Sequence, residues 1–281
     1  MLGAAFKESF DRTVSNTTGI AVMKALLLVC SLLVVPTGAA LAADSPWNGT
    51  WTLDPGRSHL TGETFTYSKG PGDLLHYSDG STDYDFGIDG KDYRLVANRT
   101  VTWTPAGKNA WDAVNRIEGK VYTQEHHELS ADGKTLTITT TGTRPDGSTI
   151  HNENVFERVT GTDGLIGTWR SVKVQSSGPR QFVISSPAPG VQRYELPDRQ
   201  QSVEGRADGS DHPITGPTAP PGFTSGFKLV SPTKLTYVLK IDGKPDGYGV
   251  HTLAPDGRSF TATTWNPGKE SEKTTAVYVK Q

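Results

Sequence analysis

The chain contains one sequence pattern twice, and this duplication limits the fold more than any other feature. Gly49-Thr50-Trp51 recurs as Gly167-Thr168-Trp169, 118 residues later. The run 127–140 recurs as 251–264, with an Asp-Gly turn at the same place in both copies. Because five such matches keep the same order along the chain, the sequence predicts a tandem duplication.

Within each copy, the local pattern is that of short β-strands joined by tight turns. Nine Asp-Gly dipeptides interrupt the chain, and this dipeptide suits the positive φ angles of hairpin turns. Short runs of alternating residues lie between them, and about eight strands suffice to close a barrel and remove its edges. We therefore predict an all-β chain with two tandem antiparallel up-and-down barrels, at 46–160 and 164–281. Only the second copy has a Pro-rich excursion, at 212–222, which we expect to be a surface loop.

The segment 1–42 has the pattern of a secretory signal peptide. Met23 and Lys24 precede an apolar run at 25–35 that is too short to span a bilayer, and Ala40-Leu41-Ala42 follows it. We expect cleavage after Ala42, translation from Met23, and a mature protein without a membrane span in the periplasm or outside the cell. The single cysteine, Cys30, would leave with this segment, so we expect no disulfide.

Charge and motifs exclude several classes of function. The 28 basic and 30 acidic residues nearly balance, and no basic run interleaves with aromatic residues, which argues against nucleic-acid binding. The sequence requires no cofactor. The run Glu125-His126-His127-Glu128 contains metal-ligand types, but adjacent strand residues face opposite sides and cannot hold one ion together.

Strand alternation predicts which polar side chains face the interior. Every second residue of one strand shares a face: Val121, Thr123, Glu125, His127 and Leu129. If the apolar Leu129 is interior, His127 and Glu125 are interior as well. The second copy places His251 opposite His127, but Gly249 stands where Glu125 would be.

The Gly-Thr-Trp strands, with an Asp-Gly-Lys-Thr-Leu-Thr-type strand near the end of each copy, resemble bacterial lipocalin-like proteins, which are calycin-like β-barrels. In lipocalins the first-strand Trp closes the barrel floor and stacks against an Arg or Lys of the last strand. The resemblance implies that Trp51 and Trp169 close the two barrels, with Arg158 and Lys280 as the partners. It also implies an exported protein that binds or carries a small hydrophobic molecule.

The residues leave three functions open. In a binding protein, His127, His251 and Glu125 would make polar contacts in an apolar lumen. In an isomerase or hydrolase, which the sequence favours less, His127 would act as acid or base on an apolar substrate, with Glu125 on the same face. In a structural or glycan-contacting envelope module, both barrels would be filled, and exposed tryptophans in a row would mark a sugar-stacking surface.

Overall fold

The computed structural model describes residues 45–175 and 180–281, whose regular secondary structure is almost wholly β-strand. The expected signal peptide and Cys30 lie outside the described residues. Strands of the first half are β1 Gly49–His59, β2 Thr64–Lys69, β3 Leu75–Ser78, β4 Asp83–Phe86, β5 Asp92–Val96, β6 Arg99–Gly107, β7 Ala110–Ile117, β8 Lys120–Leu129, β9 Thr135–Thr143 and β10 Thr149–Asp163. Strands of the second half are β11 Ile166–Lys173, β12 Gln181–Ala188, β13 Val191–Leu196, β14 Gln201–Arg206, β15 Asp208–Pro213, β16 Phe223–Ser231, β17 Lys234–Ile241, β18 Lys244–Leu253, β19 Ser259–Trp265 and β20 Thr274–Lys280. A 3-10 helix, Pro197–Arg199, joins β13 to β14.

The strands form two antiparallel sheets of ten strands each. The first barrel has the order β4-β3-β2-β11-β10-β9-β8-β7-β6-β5, and the second has β14-β13-β12-β1-β20-β19-β18-β17-β16-β15. In each sheet the two end strands approach each other, β4 beside β5 and β14 beside β15. Each sheet is therefore a nearly closed barrel, and the all-β fold with two tandem antiparallel barrels is confirmed.

The two copies exchange their Gly-Thr-Trp strands. Strand β1 pairs with β12 and β20 in the second barrel, whereas β11 pairs with β2 and β10 in the first. Our expectation that each of these strands opens the barrel of its own copy is wrong. Strand β11 follows β10 through the two-residue turn Gly164-Leu165, and this hairpin holds β11 in the first barrel. The range 46–160 therefore contains β1 in place of β11 of the first barrel. The range 164–281 contains β11 in place of β1 of the second barrel.

Each barrel has its own apolar core of inward-facing side chains. The largest buried side chains of the first core are Trp103, Trp169, Phe86 and Leu136. Those of the second core are Trp47, Trp51, Tyr278, Phe227, Phe260 and Ile184. Large aromatic side chains thus supply most of the buried volume that holds both barrels together.

The barrels contact each other through hydrogen bonds between their loops. The Glu272 carboxylate accepts from the Thr64 backbone N–H at 2.8 Å, and Asn266 donates to the Asp79 carbonyl at 3.0 Å. Arg99 of the first barrel donates to the Thr218 carbonyl at 2.6 Å. Thr218 is buried, so the Pro-rich excursion is not simply the surface loop that we expected, because part of it packs between the barrels.

Candidate functional site

The histidines of β8 and β18 occupy equivalent places in the two barrels. His127 is 2% exposed and His251 is 4% exposed, so both are buried, as the alternation of their strands predicts. The Nδ1 atom of each ring has no hydrogen-bond partner among the described residues. The surroundings of the two rings, however, differ sharply.

In the first barrel, His127 belongs to a polar network. Its Nε2 lies 3.1 Å from Oε2 of Glu125, and the other carboxylate oxygen accepts a hydrogen bond from Asn115 at 3.2 Å. Asn115 also donates to the Thr123 hydroxyl at 3.2 Å. The Trp103 ring covers the imidazole at a centroid distance of 4.6 Å. The structure therefore brings two of the three predicted polar contacts, Glu125 and His127, into one hydrogen-bonded pair.

The Glu125 carboxylate also acts on two tyrosines of this interior. Burial raises the pKa of Tyr67 well above its ordinary value, with smaller contributions from Tyr84 and Glu125. Burial and the nearby Glu125 charge likewise raise the pKa of Tyr84. Both phenols therefore stay protonated at neutral pH and remain hydrogen-bond donors in the first barrel.

In the second barrel, the same positions are apolar or lack a side chain. The strand pairing of the second barrel places Leu239 where the first barrel has Asn115, and Gly247 where the first barrel has Thr123. Gly249 faces Tyr237 across the strands, where the first barrel has Glu125 facing Ala113. A Cβ atom on Gly249 would lie only 2.2 Å from Cζ of Tyr237. The Tyr237 ring thus fills the space that the Glu125 side chain takes in the first barrel.

His251 lies among aromatic rings instead of polar groups. Its ring centroid is 5.0 Å from Tyr237, 5.0 Å from Phe260 and 5.8 Å from Phe182. Burial lowers the pKa of His251 to about 4. The imidazole is therefore neutral at physiological pH, and the second barrel has a nearly apolar interior around it.

The second barrel contains a cavity of about 160 Å³. Its apolar walls include Phe182, Val203, Ile214, Phe227, Leu235 and Leu239. Its polar lining consists of Tyr194, Arg199, Gln201, Ser225, Tyr237 and His251. An apolar cavity of about 150 Å³ is large enough to bind benzene. The arrangement can therefore enclose one small, mainly apolar molecule.

Sequence reasoning missed most of this lining. Tyr194, Arg199 and Gln201 lie on β13, the 3-10 helix and β14, a stretch in which we found no match to the first copy and predicted no strand. The alternation Val191–Leu196, with Gln192 and Tyr194 buried, was the available local signal.

The predicted barrel-closing residues are in contact, but across the two copies. The Arg158 guanidinium lies 4.2 Å from the centroid of Trp169, and Lys280 Nζ lies 5.1 Å from that of Trp51. Arg158 also donates to three backbone carbonyls near it, those of Gly133, Gly164 and Ile166. Because the strands are exchanged, Arg158 contacts Trp169 and Lys280 contacts Trp51.

The run Glu125-His126-His127-Glu128 does not form a metal site. His126 points away from His127 and pairs with Asp112 at 2.7 Å. Among residues 45–175 and 180–281, no group of three His, Cys, Asp or Glu side chains is placed to hold a metal ion. No helix in those ranges has the length and hydropathy needed to cross a membrane.

The six tryptophans do not form an exposed row. Trp47, Trp51, Trp103 and Trp169 are at most 2% exposed. The Trp265 ring stacks on Tyr248 with 5.9 Å between centroids, and Trp111 packs partly against the first core. A sugar-stacking surface built from these side chains has no support in this arrangement.

Comparison with known proteins does not add a family. No protein-family model matches the chain, and no curated protein sequence matches it.

Proposed function

We propose that this protein is a lipocalin-like binding protein whose second barrel holds one small hydrophobic molecule. The observation that carries the proposal is the cavity of about 160 Å³ around Phe227 and His251. Close-packed protein interiors contain few voids larger than a water molecule, so a space of this size inside the barrel leaves room for a ligand. The calycin-like shape of the barrels supports the same function.

The size and walls of the cavity limit the ligand. About six carbon atoms fill such a space, as benzene does in a cavity of similar volume. Each buried CH₂ group contributes about 0.8 kcal/mol before the costs of association. We expect a dissociation constant of about 0.1–1 mM for a probe with six or seven carbons and no polar group.

An entry route lies beside the Pro-rich segment. A cleft of about 840 Å³ between the barrels is lined by residues 213–224 and by turns of the first barrel. Ile214 and Phe223 border both this cleft and the cavity. We therefore place ligand entry at this end of the second barrel.

The proposed location is the periplasm or the medium of a bacterial cell, since segment 1–42 has the composition of a cleavable leader. The N-terminal mass of protein recovered from the periplasm tests this. Cleavage after Ala42 supports export, and an intact leader on protein that stays in the cytoplasm contradicts it.

Titration with toluene tests the proposed function. We expect saturable changes in the NMR methyl signals of the second-barrel lining, such as Leu235. Val203→Phe adds volume to the cavity wall and should abolish these changes, whereas Val230→Phe, on a side chain that is 48% exposed, should not. No saturable binding by the folded wild-type protein, or full binding by Val203→Phe, contradicts the proposal.

A second candidate function rests on the 3.1 Å contact between His127 and Glu125. A histidine oriented by a carboxylate is an arrangement that serves acid–base chemistry. If the first barrel is an esterase-type hydrolase, His127→Gln and Glu125→Gln should each lower turnover of p-nitrophenyl butyrate at least tenfold. The matched control is His126→Gln, on the outer face of the same strand. Equal turnover by all variants excludes this activity.

A further inference from the structure

We propose that the second-barrel cavity selects ligands that carry a carboxylate, with Arg199 as the residue that binds it. This inference rests on the proposed binding function and names its ligand class: a monocarboxylate with a small aromatic or aliphatic body. The carrying feature is the polar part of the cavity lining, which includes Arg199, Tyr194, Gln201 and Ser225.

Arg199 supplies a positive charge that has no carboxylate partner. It is half-buried in the 3-10 helix between β13 and β14, and no acidic side chain of the described residues forms a salt bridge with it. The adjacent Asp198 is already shared by Arg144 at 3.9 Å and Arg180 at 3.8 Å. A partly desolvated guanidinium without a counter-charge favours an anion beside it.

The surroundings of Arg199 add positive charge. Arg99 of the first barrel is close enough for Arg199 to help lower its pKa, after the larger effect of burial. The Nε atom of Arg99 is buried without a hydrogen-bond partner. Asp246 offsets part of this charge, because its carboxylate acts to raise the pKa of Arg99. An amine in the cavity would be repelled by the Arg199 guanidinium, whereas a carboxylate would be attracted by it.

The uncharged polar lining of the cavity includes three hydroxyl groups, those of Tyr194, Ser225 and Tyr237, each of which can donate to an anion. Tyr194 is 6% exposed, and its hydroxyl has no partner among the described residues. Burial raises the pKa of both Tyr194 and Tyr237, so each keeps its proton. None of the described Asp or Glu residues lines the cavity. One cation and the unpaired Tyr194 hydroxyl match a group that is both anionic and an acceptor.

The position of Arg199 orients the ligand. The 3-10 helix connects two strands, so Arg199 lies at one end of the barrel, while Phe227 and Leu235 line the apolar wall. The carboxylate would contact Arg199 and the Tyr194 hydroxyl, and the apolar body would point toward His251.

Binding of three probes that share a benzene ring and differ in the polar group attached to it tests the proposal at pH 7.5: benzoate, benzyl alcohol and benzylamine. The wild-type protein should bind benzoate at least tenfold more tightly than benzyl alcohol, and benzylamine most weakly. Arg199→Gln should lose the preference for benzoate yet bind benzyl alcohol within about twofold of wild type. The matched control is Arg206→Gln, an exposed arginine of the same barrel, which should behave as wild type.

Two further variants keep the test decisive if Arg199→Gln folds poorly. Arg199→Lys should keep part of the preference, because the charge remains but the planar fork is lost. Tyr194→Phe should weaken benzoate binding about threefold or more and leave benzyl alcohol unchanged. Equal affinity of the wild-type protein for benzoate and benzyl alcohol overturns the carboxylate proposal and leaves the binding function standing. Absence of binding by every probe overturns both.

Discussion

The guanidinium of Arg158 lies 4.2 Å from the ring centroid of Trp169, although the duplication assigns these residues to different copies. The ammonium of Lys280 lies over Trp51 in the same crossed manner, at 5.1 Å. Each barrel is thus completed by a strand of the other copy. Neither copy contains all the strands of one closed barrel.

The strand exchange predicts which fragments fold. The range 61–175 contains β2–β11, the complete first barrel, whereas 46–160 lacks β11 and leaves Trp51 without Lys280. We expect the first fragment to unfold cooperatively in urea and the second to lack dispersed NMR signals. A cooperatively folded 46–160 fragment that is at least as stable as 61–175 would contradict the exchanged topology.

The two cation–tryptophan contacts should differ in strength. Arg158→Met removes a cation–π contact and three hydrogen bonds to carbonyls, and should lower the free energy of unfolding by about 2–4 kcal/mol. Lys280→Met removes a more distant cation and should cost about 1 kcal/mol. Urea titrations compare the two variants directly. If both variants lose the same free energy of unfolding, the hydrogen bonds from Arg158 to the three carbonyls do not contribute to stability.

The pair Gly249 and Tyr237 should be energetically coupled. Gly249→Ala places a methyl group against the Tyr237 ring and should destabilise the protein by about 1–3 kcal/mol. In a Tyr237→Leu background the same substitution should cost less than about 1 kcal/mol, because the ring is gone. A double-mutant cycle measures the coupling. Additive effects of the two substitutions would show that the ring does not occupy this space.

The buried His251 should make stability depend on pH. Its pKa is about 4 in the folded chain and about 6.5 when exposed, so the unfolded chain binds the extra proton between these values. Stability is therefore full above pH 6.5 and falls by about 3 kcal/mol as the pH drops to 4.

A histidine substitution isolates this effect. His251→Leu should remove most of the loss between pH 6.5 and 4, as measured by urea unfolding at several pH values. His59→Gln, at an exposed position without an ion pair among the described residues, serves as the control and should keep the wild-type slope. If His251→Leu also keeps that slope, other groups cause the pH dependence.

Much of the first-barrel interior followed from alternation alone. The face that carries Leu129 also carries the buried His127 and the inward-facing Glu125, as predicted. Val121 was expected on that face and is instead 55% exposed. The pairing of β7 with β8 shifts by one residue between Asn115 and Arg116. This bulge reverses the alternation beyond it, and no local signal marked its position.

Other features depend on long-range pairing that a sequence read locally does not contain. The place of β1 in the second barrel follows from its pairing with β12 and β20, more than 100 residues away. The duplication predicted similar interiors, but the second barrel has Gly249 opposite Tyr237 where the first has Glu125 opposite Ala113, and it lacks the polar network. The cavity-lining residue Arg199 lies in a stretch where the two copies do not match.

Xenon bound in a pressurised crystal tests the central claim most directly, since the claim is that the second barrel encloses an apolar cavity. The anomalous signal should appear inside that barrel, beside Phe227 and Leu235, and should disappear in Val203→Phe. A wild-type crystal in which the second-barrel interior takes up no xenon would contradict the account.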